Sequence, residues 1–107
     1  MIARIWDGTT RAGDAETYWK YLLETGVSEC RKTPGNRGVQ VLRRVEGDDA
    51  HFRFMSFWES FDAVRAFAGD DLEKAVYFPK DREFLLFLDP KVRHYEVLEE
   101  PAGSAAS

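Results

Sequence analysis

Asp7, Tyr77 and His51 are the residues of this sequence best suited to moving protons. Asp7 closes the apolar stretch "IARIWDG". A carboxylate buried beside aromatics has its charged form disfavoured and its pKa raised. That suits it to take a proton from an acidic phenol or anthrone. The same residue also reads as a strand-end Asp opening the turn "DGTT". Tyr77 is a candidate to donate a hydrogen bond to a substrate carbonyl or a developing oxyanion; it also reads as an amphipathic core tyrosine with its hydroxyl at the surface. His51 and His94 are candidates for acid or base work, but neither has metal-ligand spacing with another His, Asp or Glu, so no metal site is expected. Trp58, Phe54 and Phe67, with Trp19, are candidates to wall an apolar slot for a flat aromatic ligand. Each of them is equally what a packed core would use.

Other reactive residues point to less. Cys30 is the single cysteine, so no intramolecular disulfide or cysteine zinc cluster can form. It has no evident activating partner and reads as an inert thiol. Arg43, Arg44 and Arg53 read as ion-pair partners across a sheet or an interface. "TPGNRG" has neither the strand-loop-helix context nor the lysine of a phosphate loop. A net charge of −4 disfavours nucleic acid, which requires a basic face. No stretch approaches the length needed to cross a bilayer, and "MIARIWDGTT" has no signal-peptide pattern. The expectation is a soluble cytoplasmic protein without membrane or nucleic-acid partners.

These residues need elements to hold them. Residues 2–8 alternate and are rich in β-branched and aromatic types, as in a strand. Ala3, Ile5 and Asp7 share one face and are expected to point at the helices; Ile2, Arg4 and Trp6 share the other. Ala15, Tyr18, Trp19, Leu22 and Leu23 recur as one stripe of a helix, with Gly26 expected to break it. "GVQVLRRVEG" (38–47) and "HFRFMSFWE" (51–59) form two more strands, joined by the hairpin connection "EGDDA". On the second of these, Phe52, Phe54, Ser56 and Trp58 share one side. Ser60 is the expected N-cap of "FDAVRAFA". Asp70 and Glu73 make a capping-box pattern for a helix over "DLEKAVYF", and Pro79 opens a last helix, "PKDREFLLF". Residues 91–100 form a fourth strand, and 101–107 form a disordered tail.

The order β-α-β-β-α-β is that of the ferredoxin-like split βαβ fold, an α+β class with a four-stranded antiparallel sheet. A chain of 107 residues makes one such domain, 1–100. Helices cover one face of the sheet. The other face would expose large apolar residues and is expected to be covered by a second copy.

With these elements in place, the chain resembles the antibiotic biosynthesis monooxygenase (ABM) domains of the dimeric α+β barrel superfamily. The resemblance runs from Met1 to about Glu100. It is carried by "MIARIWDG", "TPGNRGVQVLRR", "FMSFWESFDAVRAFAGDD" and "HYEVLEE", with the "WES" step from strand to helix as its most recognisable piece. It implies a homodimer, with a small-molecule pocket between sheet and helices in each protomer. Some relatives oxidise aromatic polyketides with oxygen and no prosthetic group, so no cofactor is expected. Others degrade haem, and others have no assigned activity, which leaves a non-catalytic ligand-binding or stress-associated dimer as the alternative. The haem degraders use an Asn on the first strand, a Trp on the helix after the W-x-S turn and a His ten residues on. By spacing these match Asp7, Phe67 and Tyr77 here, and the resemblance therefore speaks against haem chemistry.

Overall fold

The computed structural model describes residues 1–100; the expected disordered tail, 101–107, lies outside the described residues. Four strands are present: β1 (Ile2–Arg11), β2 (Asn36–Glu46), β3 (Asp49–Trp58) and β4 (Arg93–Glu96). They form one antiparallel sheet in the order β2-β3-β1-β4, the ferredoxin-like arrangement that the element order implies. β2 and β3 turn back on each other at Gly47–Asp48, with Glu46 opposite Asp49.

Register settles which face of β1 points inward. Ile2, Arg4, Trp6 and Gly8 lie opposite Trp58, Ser56, Phe54 and Phe52 of β3. Trp58, Ser56 and Phe52 are fully buried and Phe54 nearly so, all on the helix-covered side. Side chains alternate strictly along a strand, so Ala3, Ile5 and Asp7 point to the opposite face. The expectation that Asp7 faces the helices is therefore wrong by one residue.

The first helical stretch is longer than expected. α1 (Ala15–Leu22) runs through a π turn at Leu23–Val27 into α2 (Ser28–Lys32). Gly26 does not end the helix. It sits buried inside the π turn, where an added Cβ would lie 3.0 Å from Cε2 of the Phe54 ring. A glycine is there because the ring packs directly against the backbone. α3 (Phe61–Ala68) starts as expected, with the Ser60 hydroxyl accepting the Ala63 N–H at 3.2 Å.

The expected helix over residues 71–78 is absent. This segment is irregular because its backbone groups are used elsewhere. The Leu72 and Lys74 carbonyls accept hydrogen bonds from Arg4. The Ala75 N–H donates to Pro90, and the Glu73 carbonyl accepts from Val92. Pro79 also biases Phe78 away from helical angles. The last helix shrinks to α4 (Asp81–Phe84), after which Leu85 bridges to Thr10 and the Leu86 N–H donates to Thr9. β4 is shorter than the expected 91–100: at one end its partner runs out, Glu96 already pairing with Ile2, and at the other Lys91 and Val92 pair with Lys74 and Glu73 instead of β1.

Candidate functional site

Between the sheet and the helices lies a cavity of about 50 Å³, walled by Arg4, Trp6, Phe54, Phe67, Tyr77 and Asp81, with Tyr18, Gly26 and Ser56 completing its inner side. The strands set the floor, through Arg4 and Trp6 of β1 and Phe54 of β3. α3 supplies Phe67, and the irregular segment before α4 supplies Tyr77. The Trp6 and Tyr77 rings meet edge to face, with centroids 6.1 Å apart and planes at 77°. Trp6 Nε1–H donates to the Tyr77 hydroxyl at 3.1 Å, and that hydroxyl donates to the Asp89 carbonyl. The indole lies folded over Gly8, where a Cβ would collide with its Cη2 and Cζ2 atoms.

Asp81 is the one carboxylate of this wall among the described residues, and it is almost entirely buried. Its Oδ1 accepts from the Tyr18 hydroxyl at 2.9 Å and its Oδ2 from the Phe78 N–H at 2.6 Å. Burial raises the Tyr18 pKa far above that of a free phenol, and the Asp81 charge pushes it further the same way. Tyr18 therefore stays a donor. Burial also raises Tyr77.

Arg4 is the cavity's cation and is only 4 % exposed. Its guanidinium donates to the Leu72 carbonyl at 2.6 Å and the Lys74 carbonyl at 2.8 Å, meets His94 Nε2 at 3.2 Å, and lies 5.9 Å from the Phe67 ring centroid. Burial lowers its pKa. Burial, followed by the Arg4 charge, lowers that of His94, so the imidazole is held neutral. Behind Arg4, Trp58 Nε1–H donates to the Ser56 hydroxyl at 2.9 Å, and burial pushes the Cys30 thiol up to about 12.

The expected site residues divide sharply. Phe54, Phe67 and Tyr77 converge on the cavity. Trp58 stands one layer behind it, fully buried, its ring centroid 5.6 Å from that of Phe67. Trp19 lies apart, beside a shallow groove with Glu16, Val41 and Arg43. Asp7 and His51 are on the other face of the sheet: Asp7 forms a two-pronged ion pair with Arg53 at 2.8 and 3.1 Å, and His51 Nδ1 contacts the Thr9 hydroxyl at 3.0 Å. They border an open depression of about 460 Å³ there. Asp7 is thus a half-exposed, ion-paired carboxylate, not the buried one that sequence reasoning required. Arg4, Trp6, Tyr18 and Asp81 are the residues that reading missed. Arg4 and Trp6 share a strand with Asp7 and needed only the other choice of face; nothing local marks Asp81, which reads as an ordinary acid at the start of a helix.

The donor set bears on haem. Among the described residues no group of three His, Cys, Asp or Glu side chains could hold a metal ion. No imidazole lines the cavity, and its two phenols, Tyr18 and Tyr77, are both hydrogen-bonded. The inward residue of β1 at this level is Trp6, not Asp7. The cavity therefore offers haem no free axial ligand.

The family model described as "Antibiotic biosynthesis monooxygenase" matches residues 1–76. Solved structures with the same fold include a Bacillus cereus protein assigned as an antibiotic biosynthesis monooxygenase, with 18% identity, TM-score 0.66 and 95% of this chain and 97% of that chain covered. Another is the haem degrader MhuD of Mycobacterium tuberculosis with two haems in its active site, at 20% identity and TM-score 0.62, covering 95% and 100% of the two chains. A third is Rv0793 of the same organism, at 18% identity and TM-score 0.56, covering 94% and 98%. No curated protein matches the sequence. No helix among the described residues is long and apolar enough to cross a membrane.

Proposed function

The chain belongs to the antibiotic biosynthesis monooxygenase family, and from that premise we propose that it is a monooxygenase of a small aromatic or polyketide-like substrate, needing no cofactor and working in the cavity between sheet and helices. The observation that carries this reading is the convergence of Trp6, Phe54, Phe67 and Tyr77 on one cavity whose wall includes a single buried carboxylate, Asp81. Aromatic walls favour a flat, electron-rich ligand.

In this reading the base is Asp81 rather than Asp7 or His51, because only Asp81 lies on the cavity side. It takes a proton from the activated CH₂ of the substrate. The Tyr77 hydroxyl turns from the Asp89 carbonyl to the substrate oxygen on which charge develops. The substrate carbanion itself reduces O₂. One oxygen atom stays on that carbon as a carbonyl and the other leaves as water, so that CH₂ plus O₂ gives C=O plus H₂O. A cavity of about 50 Å³ holds no tricycle as it stands, so this reading requires the irregular segment carrying Val76–Phe78 to move outward on binding.

The second face of the sheet belongs to the same reading. Ile5, Leu42, Met55, Phe57 and Tyr95 lie on it, and Leu42 and Tyr95 are about half exposed. A second copy of the chain is the expected cover, closing two sheets into a barrel. Sizing at twice the chain mass checks it.

The test is oxygen uptake by purified protein with anthrone and no added metal or flavin. Stoichiometric anthraquinone supports the reading. Saturable binding of anthrone without oxygen uptake replaces it with a ligand-binding protein.

A further inference from the structure

Five surface arginines in this fold have a carboxylate partner: Arg37 with Glu59, Arg43 with Glu16, Arg44 with Glu46, Arg53 with Asp7 and Arg65 with Asp62. Arg4 is the buried one, and no carboxylate among the described residues pairs with it. This reverses the usual order, since an exposed guanidinium is solvated by water whereas a buried one requires compensation. Of the five N–H groups a guanidinium carries, two go to the Leu72 and Lys74 carbonyls and a third meets the neutral His94 ring. The Nε–H and one Nη2–H have no acceptor among the described residues, and the space Arg4 borders is the aromatic cavity.

We propose that Arg4 is the counter-ion for an anionic oxygen on the ligand, so that the cavity selects an aromatic carboxylate over its neutral analogue. The ligand's ring lies among Trp6, Phe54 and Phe67, and its carboxylate meets the guanidinium. Asp81 does not serve as that anion within the protein: its carboxylate accepts from the Tyr18 hydroxyl and the Phe78 N–H, and Arg4 makes its hydrogen bonds to backbone carbonyls instead. The carbonyls that now hold Arg4 are neutral acceptors, and a carboxylate forms shorter and stronger bonds with the same fork. The proposal rests on the reading of this cavity as the ligand site, but not on any reaction in it.

Three probes of one shape separate the possibilities: 2-naphthoate, 2-naphthamide and 2-naphthyl-trimethylammonium. Each is titrated into the full chain at pH 7.5, with quenching of tryptophan fluorescence as readout. Naphthoate is expected to bind about tenfold or more tighter than the amide, with the cation weakest. Arg4→Gln is expected to bind naphthoate and the amide alike, Arg4→Lys keeps part of the preference, and Arg53→Gln on the other face keeps all of it. Should Arg4→Gln fail to fold, the ranking of the three probes by wild type decides alone. Equal or tighter binding of the amide overturns the proposal, as does a preference that survives in Arg4→Gln. Preference without oxygen uptake sinks only the catalytic reading; uptake without preference sinks only this one.

Discussion

The Trp6 indole donates its N–H to the Tyr77 hydroxyl in the cavity wall, so a strand residue and a residue of the irregular segment before α4 hold each other in place. Replacing Tyr77 with Phe keeps the ring and removes both of its hydrogen bonds. The indole N–H and the Asp89 carbonyl then lose a partner, which costs about 1–3 kcal/mol. Urea denaturation of Tyr77→Phe should show a loss of that size, together with slower oxygen uptake from the missing donor. Unchanged stability and unchanged turnover would mean that the hydroxyl serves neither purpose.

Gly8 permits that arrangement. A methyl group there collides with the Trp6 ring, so Gly8→Ala forces the indole off its seat over the strand. Overpacking of this kind costs about 1–3 kcal/mol. The expected signature is a lower thermal midpoint with a shifted tryptophan emission. Gly13→Ala is the control, since nothing lies near its Cβ position.

The strands are largely legible in the sequence, because period-2 alternation in β1, β2 and β3 is a direct imprint of a pleated sheet. Ser60 as the cap of α3 is legible for the same reason, being a local interaction. The orientation of β1 is not. Arg4 sits on one face and Asp7 on the other, so polarity does not say which is inside; only the register with Phe52, Phe54 and Trp58 decides it. Residues 71–78 carry a good local helix pattern that loses to tertiary demand, since a buried guanidinium takes the carbonyls a helix would have used. Asp81 becomes a site residue through Tyr18, 63 positions away, a contact that no local pattern encodes.

His94 gives the fold an acid limb. Its pKa is lowered in the folded protein, by burial first and by Arg4 second, so between its folded value and the unfolded value of about 6.5 the unfolded chain binds more protons. Stability therefore rises with pH across that window and is lost as pH falls below about 6.5. Chemical denaturation from pH 7.5 down to 5 should show this slope, and His94→Gln should flatten it. An identical slope in the variant would assign the acid limb to other groups.

Cys30 is fully buried, with its thiol pushed up to about 12. The thiolate is the reactive form, so the native protein at pH 8 should leave a disulfide reagent such as Ellman's reagent unreacted over the time in which unfolded chain is fully modified. Immediate modification of native protein would place the thiol outside the core.

The central claim is that chemistry belongs to the helix side of the sheet and not to its other face. The most direct measurement is the rate of oxygen uptake with anthrone for wild type, Asp81→Asn and Asp7→Ala, each first shown to be folded by its thermal transition. The account predicts that Asp81→Asn slows uptake by about 100-fold or more while Asp7→Ala turns over like wild type. Loss of uptake in Asp7→Ala, with Asp81→Asn fully active, would contradict it.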